Sequence, residues 1–326
     1  MKLIKKSDIS SFLKSLEREY DICDVTGNTL PPKQYCFPPE ETTFTVSTKS
    51  GTISTPPAPR SFVLYGLTLR ELEAITFFVE IMSNPERDYY YFRHRKRAVL
   101  IGVTSERFEV APGGDIIFSN FRRDSYRVQA ITAKGQEVIK RFLPNLKPGR
   151  GSATTNSEER TMPELQKLFM DTALLKEAVE WSWKGYPRIW EGLGRECLGC
   201  GICTYVCPLC HCFSIEDSID LSGETATRCR KWDACTLPGF AKLAGSENVC
   251  ALPGSASAAG GENCHPGIKE RYYNWYYHKF VRSFLEFGRA QCVACGKCQT
   301  HCPARIDIEA VLLDIVAKYK KRRQHG

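Results

Sequence analysis

Residues 197–208 read CLGCGICTYVCP, and residues 292–303 read CVACGKCQTHCP. Both follow the spacing C-x2-C-x2-C-x3-C-P, through Cys197, Cys200, Cys203 and Cys207 in the first copy and Cys292, Cys295, Cys298 and Cys302 in the second. Thiolates are the ligands of soft metals and of metal–sulfide cores. Three of them at this spacing can wrap one face of such a core, and the small residues Gly201 and Gly296 let backbone N–H groups come close to it. The fourth, just ahead of a proline, is directed away. Zinc knuckles also use cysteine pairs, but zinc sites join two C-x2-C units without the x3-C-P continuation.

Two complete copies of this spacing form the bacterial two-cluster ferredoxin pattern, in which the fourth cysteine ligates the other cluster. Two 4Fe-4S clusters are therefore expected. Cys197, Cys200, Cys203 and Cys302 would hold the first, and Cys292, Cys295, Cys298 and Cys207 the second. Such cross-ligation ties together about 90 residues of chain. Loss of iron should then destabilise the whole C-terminal half, because metal binding and folding are linked.

The chain has 16 cysteines, of which only Cys23 and Cys36 precede Cys197. No apolar signal segment is visible at the N-terminus, so a reducing, cytoplasmic setting is expected and the thiols point to metal rather than disulfides. Beyond the two motifs lie Cys210, Cys212, Cys229, Cys235, Cys250 and Cys264. Two readings stay open for them: a third cluster, which needs four to converge, or buried thiols beside the clusters. The segments AGSENVC (244–250) and AGGENC (259–264) look like a short local duplication.

Elements on either side must position these loops. Residues 6–19 have helical spacing through Ile9, Phe12, Leu13 and Leu16. Short β-prone runs follow within 42–66, and residues 68–83 read as a helix whose Thr68 and Glu71 form a capping box. RAVLIGVT (97–104) reads as a buried strand. DIIFSNF and YRVQAITA surround a turn, and Gly135 suggests a further hairpin. Residues 144–160 have linker composition. Helical segments then cover 163–190, about 268–287, and the residues after Ile308. The expected fold is α+β: an N-terminal α/β-type docking domain over 1–143, a linker over 144–162, and a mainly helical ferredoxin-like dicluster domain over 163–326.

A chain of 326 residues suits two domains, and 42% hydrophobic with 25% charged residues is ordinary for a globular protein. No apolar run reaches membrane-spanning length. The net charge of +8 lies partly in the tail KYKKRR (318–323), too little to argue for nucleic acid. His211, His265, His278 and His301 lie near the cysteines and read mainly as surface or satisfied side chains. Neither a Walker A sequence nor a strand-linked G-x-G-x-x-G occurs, so nothing places flavin or nucleotide on this chain. Trp181, Trp183, Tyr186, Trp190 and the aromatics of 272–277 read as packing rather than as cofactor stacking.

The chain resembles the β subunits of archaeal sulfhydrogenases, which are soluble NiFe hydrogenases, and the A subunits of anaerobic sulfite reductases. The resemblance runs through CxxCGxC and CPxCxCF at 197–213, WDxC at 232–235, AGGxN at 259–263, the helix ending HKF at 278–280, and CVxCGxC with CP at 292–303. PPKQYCFPPEETTF and the basic strand at 93–103 extend it into the N-terminal half. It implies a subunit that relays electrons between a flavoprotein subunit using NAD(P)H and a hydrogenase- or reductase-type catalytic subunit, within a cytoplasmic hetero-oligomer. Where the family commonly has G-V-x-x-C-D, this chain has GLTLRE (66–71). A strand-end cysteine is replaced by Ser105, and ERFEVAPGG lacks a C-x-C pair. An additional N-terminal cluster is therefore not expected.

The leading expectation is an electron-transfer subunit without a substrate site of its own. The alternative is a catalytic subunit with a further site at Cys210, Cys212 and Cys235 for disulfide or sulfur chemistry. A scaffold with purely structural clusters is the third reading.

Overall fold

The computed structural model describes residues 2–105, 113–148, 162–240 and 267–325. The chain divides into two compact units, Met1–Glu159 and Arg160–Gly326. Helices and strands both build it, and the fold class is α+β.

The first unit contains β1 (Lys2–Lys5), α1 (Ile9–Leu16), β2 (Asp21–Asp24), β3 (Glu40–Ser47), β4 (Ile53–Ser54), β5 (Phe62–Leu67), α2 (Leu69–Ile81), α3 (Tyr89–Arg95), β6 (Ala98–Thr104), β7 (Ile116–Arg122), β8 (Ser125–Ala130), α4 (Ala133–Phe142) and β9 (Lys147–Pro148). Seven strands form one mixed sheet in the order β2-β5-β6-β7-β8-β1-β9. Pairing is parallel from β2 to β7 and antiparallel from β7 to β9. All of β5 and nearly all of β6 are buried, as expected of central parallel strands covered on both faces. Phe12 and Leu16 of α1 and Val138 and Ile139 of α4 pack with Val63, Val99, Ile101 and Phe118. On α2, Thr68 and Glu71 form the expected capping box.

The expected hairpin at Gly135 is not there. Gly135 lies in the first turn of α4, where its N–H donates to the capping hydroxyl of Thr132. A Cβ on this residue would stand 2.0 Å from the carbonyl oxygen of Asp115, so glycine serves close helix–strand approach rather than a turn. Asp115 fixes the same corner, accepting hydrogen bonds from the Leu100 N–H (2.9 Å) and the Thr132 hydroxyl (2.6 Å). Lys147 and Pro148, inside the expected linker, pair with β1; residues 149–161 lie outside the described residues.

The second unit contains α5 (Pro163–Phe169), α6 (Thr172–Gly185), α7 (Pro187–Glu196), α8 (Ile202–Tyr205), β10 (Phe213–Ile219), β11 (Thr225–Trp232), α9 (Ile268–Tyr277), α10 (Ser283–Phe287), α11 (Lys297–Thr300) and α12 (Ile308–His325). A π-helical turn, His278–Arg282, joins α9 to α10. Its core is aromatic. Trp190 packs edge-on against Tyr273 and Tyr276, and its indole N–H donates to the Ser182 hydroxyl at 3.1 Å. The carboxylate of Glu309 on α12 accepts from the Leu165 N–H on α5, and Tyr186 donates to Asp314. The β10–β11 hairpin adds strands to a half that reads from sequence as helices around two loops.

Candidate metal centres

The two cysteine loops repeat one backbone design. Cys197 ends α7; Gly199 (φ 62°) and Gly201 (φ 77°) then take left-handed conformations before the single turn of α8. In the second loop, Ala294 (φ 52°) and Gly296 (φ 70°) do the same before α11. A left-handed alanine costs about 1–2 kcal/mol, so the loop conformation is imposed on it by its surroundings. Each loop turns an N–H back on its first sulfur: Gly199 donates to Cys197 at 3.4 Å and Ala294 to Cys292 at 3.3 Å. Leu209 donates likewise to Cys207 at 3.4 Å.

Packing brings the loops together as two cavities. One, with about 390 Å³ of empty space including its mouth, is lined by Cys197, Cys200, Cys203 and Cys302, with Cys298 at its wall. The other, of about 410 Å³ measured the same way, is lined by Cys207, Cys292, Cys295 and Cys298. Each thus combines three cysteines of one motif with the fourth of the other. Among the described residues no three His, Cys, Asp or Glu side chains close on a single ion.

Burial opposes free thiolates here. It pushes Cys203 and Cys292 up to about 12 and Cys295 up to about 11, and raises Cys298 as well. Burial thus favours the neutral thiol at all four positions. Two buried cations face the loops. Arg271 on α9 lies near Cys197 and donates from Nε to the Thr236 carbonyl at 2.9 Å. Lys279 donates to the Cys207 sulfur and to the Gln291 carbonyl, both at 3.1 Å. Burial alone would lower the Lys279 pKa; the sulfurs of Cys207, Cys210 and Cys292 outweigh it and raise the pKa.

A family model described as a 4Fe-4S dicluster domain matches residues 196–251 and 246–306. The chain is 27% identical over 314 residues to Sulfhydrogenase 2 subunit beta of Pyrococcus furiosus, covering 90% of this chain and 84% of that one. The chain is thus similar to a sulfhydrogenase β subunit, with a 4Fe-4S dicluster match in its C-terminal half. No solved structure matches.

Motif reading misses Lys279 and Gln291, which the fold places against the cysteine loops. Gln291 donates from its side chain to the Leu209 carbonyl at 2.6 Å, and from its backbone to the Lys279 carbonyl at 2.9 Å. It thereby joins the residue before Cys292 to the loop after Cys207. The available signal was a lysine within the aromatic run of 272–280; the π-helical turn contains it, and such turns recur at functional sites.

His211 lies 3.2 Å from the Gln291 side-chain nitrogen and packs against His278. His278 is held down to about 3 by burial. His301 bonds the Lys297 carbonyl of its own helix. Cys210 and Cys235 are buried, Cys212 is half-buried, and the Cys212 and Cys235 side chains are hydrogen-bonded. Cys229 sits within the hairpin, opposite Glu216. His265, Cys250, Cys264 and the duplicated segments fall outside the described residues, as do 106–112 beyond Ser105.

Proposed function

We propose that this chain is the iron–sulfur electron-transfer subunit of a cytoplasmic hydrogenase-type complex. In this reading it relays electrons between a flavoprotein subunit of the NAD(P)H-using kind and a hydrogenase- or reductase-type catalytic subunit. Cys197, Cys200, Cys203 and Cys302 hold one 4Fe-4S cluster, and Cys207, Cys292, Cys295 and Cys298 hold the other. The observation that carries this reading is the pair of cavities, each lined by three cysteines of one motif and the fourth of the other, with Cys298 lining both. The relative named as a sulfhydrogenase β subunit supports the setting in a complex.

Clusters of this kind supply one-electron transfer at potentials tuned by charge, hydrogen bonds and burial. The chain's residues do the rest. The left-handed glycines let N–H groups reach sulfur, Arg271 and Lys279 set positive charge beside the thiolates, and Tyr272 and Trp275 wall the cavities against water. Among the described residues no helix is long and apolar enough to cross a membrane.

Iron and acid-labile sulfide in anaerobically purified protein test the cofactor: about eight irons per chain are expected from two cubanes. Cys302→Ala should lose the cluster wrapped by Cys197, Cys200 and Cys203, and adding Cys197→Ala should lower iron no further. Zinc in place of iron, or loss of the other cluster's signal in Cys302→Ala, rejects the assignment. Recovery of the native complex with a flavoprotein and a hydrogenase-type subunit tests the relay; purification without either rejects it.

A further inference from the structure

Cys212 immediately precedes β10, and β11 ends with Trp232 paired to Phe213. The ladder extends one bond further, with the Asp233 N–H donating to the Cys212 carbonyl at 3.0 Å. The chain then turns back, the Ala234 N–H bonding the Asp233 carboxylate at 2.7 Å and the Leu237 N–H the Ala234 carbonyl at 2.9 Å. That turn sets the side chain of Cys235 within hydrogen-bonding reach of Cys212. The two differ in exposure: Cys235 is 4% exposed, with the Thr204 hydroxyl 4.0 Å from its sulfur, whereas Cys212 is half-buried. Neither lines a cluster cavity.

We infer that Cys212 and Cys235 form a redox-active dithiol whose substrate is a low-molecular-weight disulfide. A reachable sulfur backed by a buried one in contact is the arrangement that thiol–disulfide exchange requires. The Cys212 thiolate attacks one sulfur of the substrate; a Cys212–substrate S–S bond forms, the substrate's own S–S bond breaks, and the departing sulfur takes up a proton as thiol. Cys235 then gives up its proton and attacks Cys212; their S–S bond forms and the second substrate thiol leaves. The dithiol has lost two electrons and the substrate has gained them. Return to the dithiol takes two electrons, which the electron-transfer role proposed above supplies one at a time, and two protons from water, so continued turnover rests on that reading. The exchange half does not.

The test uses anaerobic full-length protein treated with glutathione disulfide, quenched in acid, alkylated and mapped by peptide mass. Wild type should yield a Cys212–Cys235 disulfide that dithiothreitol reverses. Cys235→Ser should trap glutathione on Cys212 at roughly tenfold the wild-type level, because the resolving thiol is gone. Cys212→Ser should give neither product, and both variants should keep wild-type iron. No trapped adduct in Cys235→Ser, a Cys210–Cys212 disulfide in its place, or iron loss in either variant overturns the inference. A wild type without iron that still forms the Cys212–Cys235 disulfide supports this couple while rejecting the cluster reading.

Discussion

The ammonium of Lys279 lies 3.1 Å from the sulfur of Cys207, and both side chains are buried. A buried ammonium persists only where charge or hydrogen bonds compensate its lost hydration, and here sulfur and the Gln291 carbonyl do so. In the proposed assignment this places one full positive charge on a ligand of the second cluster.

Lys279→Met should therefore make that cluster harder to reduce. A hydrogen bond to a charged group contributes about 1.5–3 kcal/mol, which for one electron is on the order of 100 mV. A potentiometric titration followed by electron paramagnetic resonance should show this negative shift at one cluster and a much smaller one at the other. Equal shifts at both would argue that Lys279 acts on the domain as a whole.

Gly201 and Gly296 occupy equivalent left-handed positions but differ in their surroundings. A Cβ on Gly201 would meet Ala234 Cβ at 2.9 Å and the Tyr205 ring at 3.0 Å, whereas on Gly296 the nearest atom is Met162 Cγ at 3.9 Å. Gly296→Ala should lose only the backbone preference, about 1–2 kcal/mol. Gly201→Ala adds overpacking of about 1–3 kcal/mol. Chemical denaturation of the iron-loaded variants should rank them in that order, with more iron lost from Gly201→Ala.

Single-turn helices are not stable alone, because nucleation outweighs so few hydrogen bonds. Among the described residues, α8 and α11 are four residues each and lie inside the cysteine motifs. Removing iron with a chelator under reduction should strip amide-exchange protection from residues 202–207 and 297–302 before it affects α6 or α12. Simultaneous loss across all four helices would contradict this order.

Replacing a glycine inside a helix by alanine ordinarily stabilises it by about 1 kcal/mol. At Gly135 the sign should reverse, since the new methyl meets the Asp115 carbonyl and backbone must move. The expected loss is about 1–3 kcal/mol. Thermal unfolding of Gly135→Ala against a Lys134→Ala control separates this clash from helix propensity.

What was legible in the sequence depends on short covalent spacing. The two C-x2-C-x2-C-x3-C-P runs, the Thr68–Glu71 capping box and the buried strand Ala98–Thr104 each express a local rule within one segment. Gly135 misled because glycine marks both turns and close contacts, and only the position of Asp115 distinguishes them. The β10–β11 hairpin is weakly signalled, because its alternating Phe213, Ile215 and Ile219 are exposed and its pairing register depends on contacts between two separate segments.

The sequence by itself determined the donor chemistry, because ligand type and spacing within a loop are properties of twelve consecutive residues. Only the tertiary structure decided which distant groups meet. It put Cys302 at the cavity of Cys197, Lys279 on Cys207, and Cys235 against Cys212. Those contacts depend on how an aromatic core packs its helices and how one hairpin sets its register, and neither is encoded in the spacing of the residues that touch.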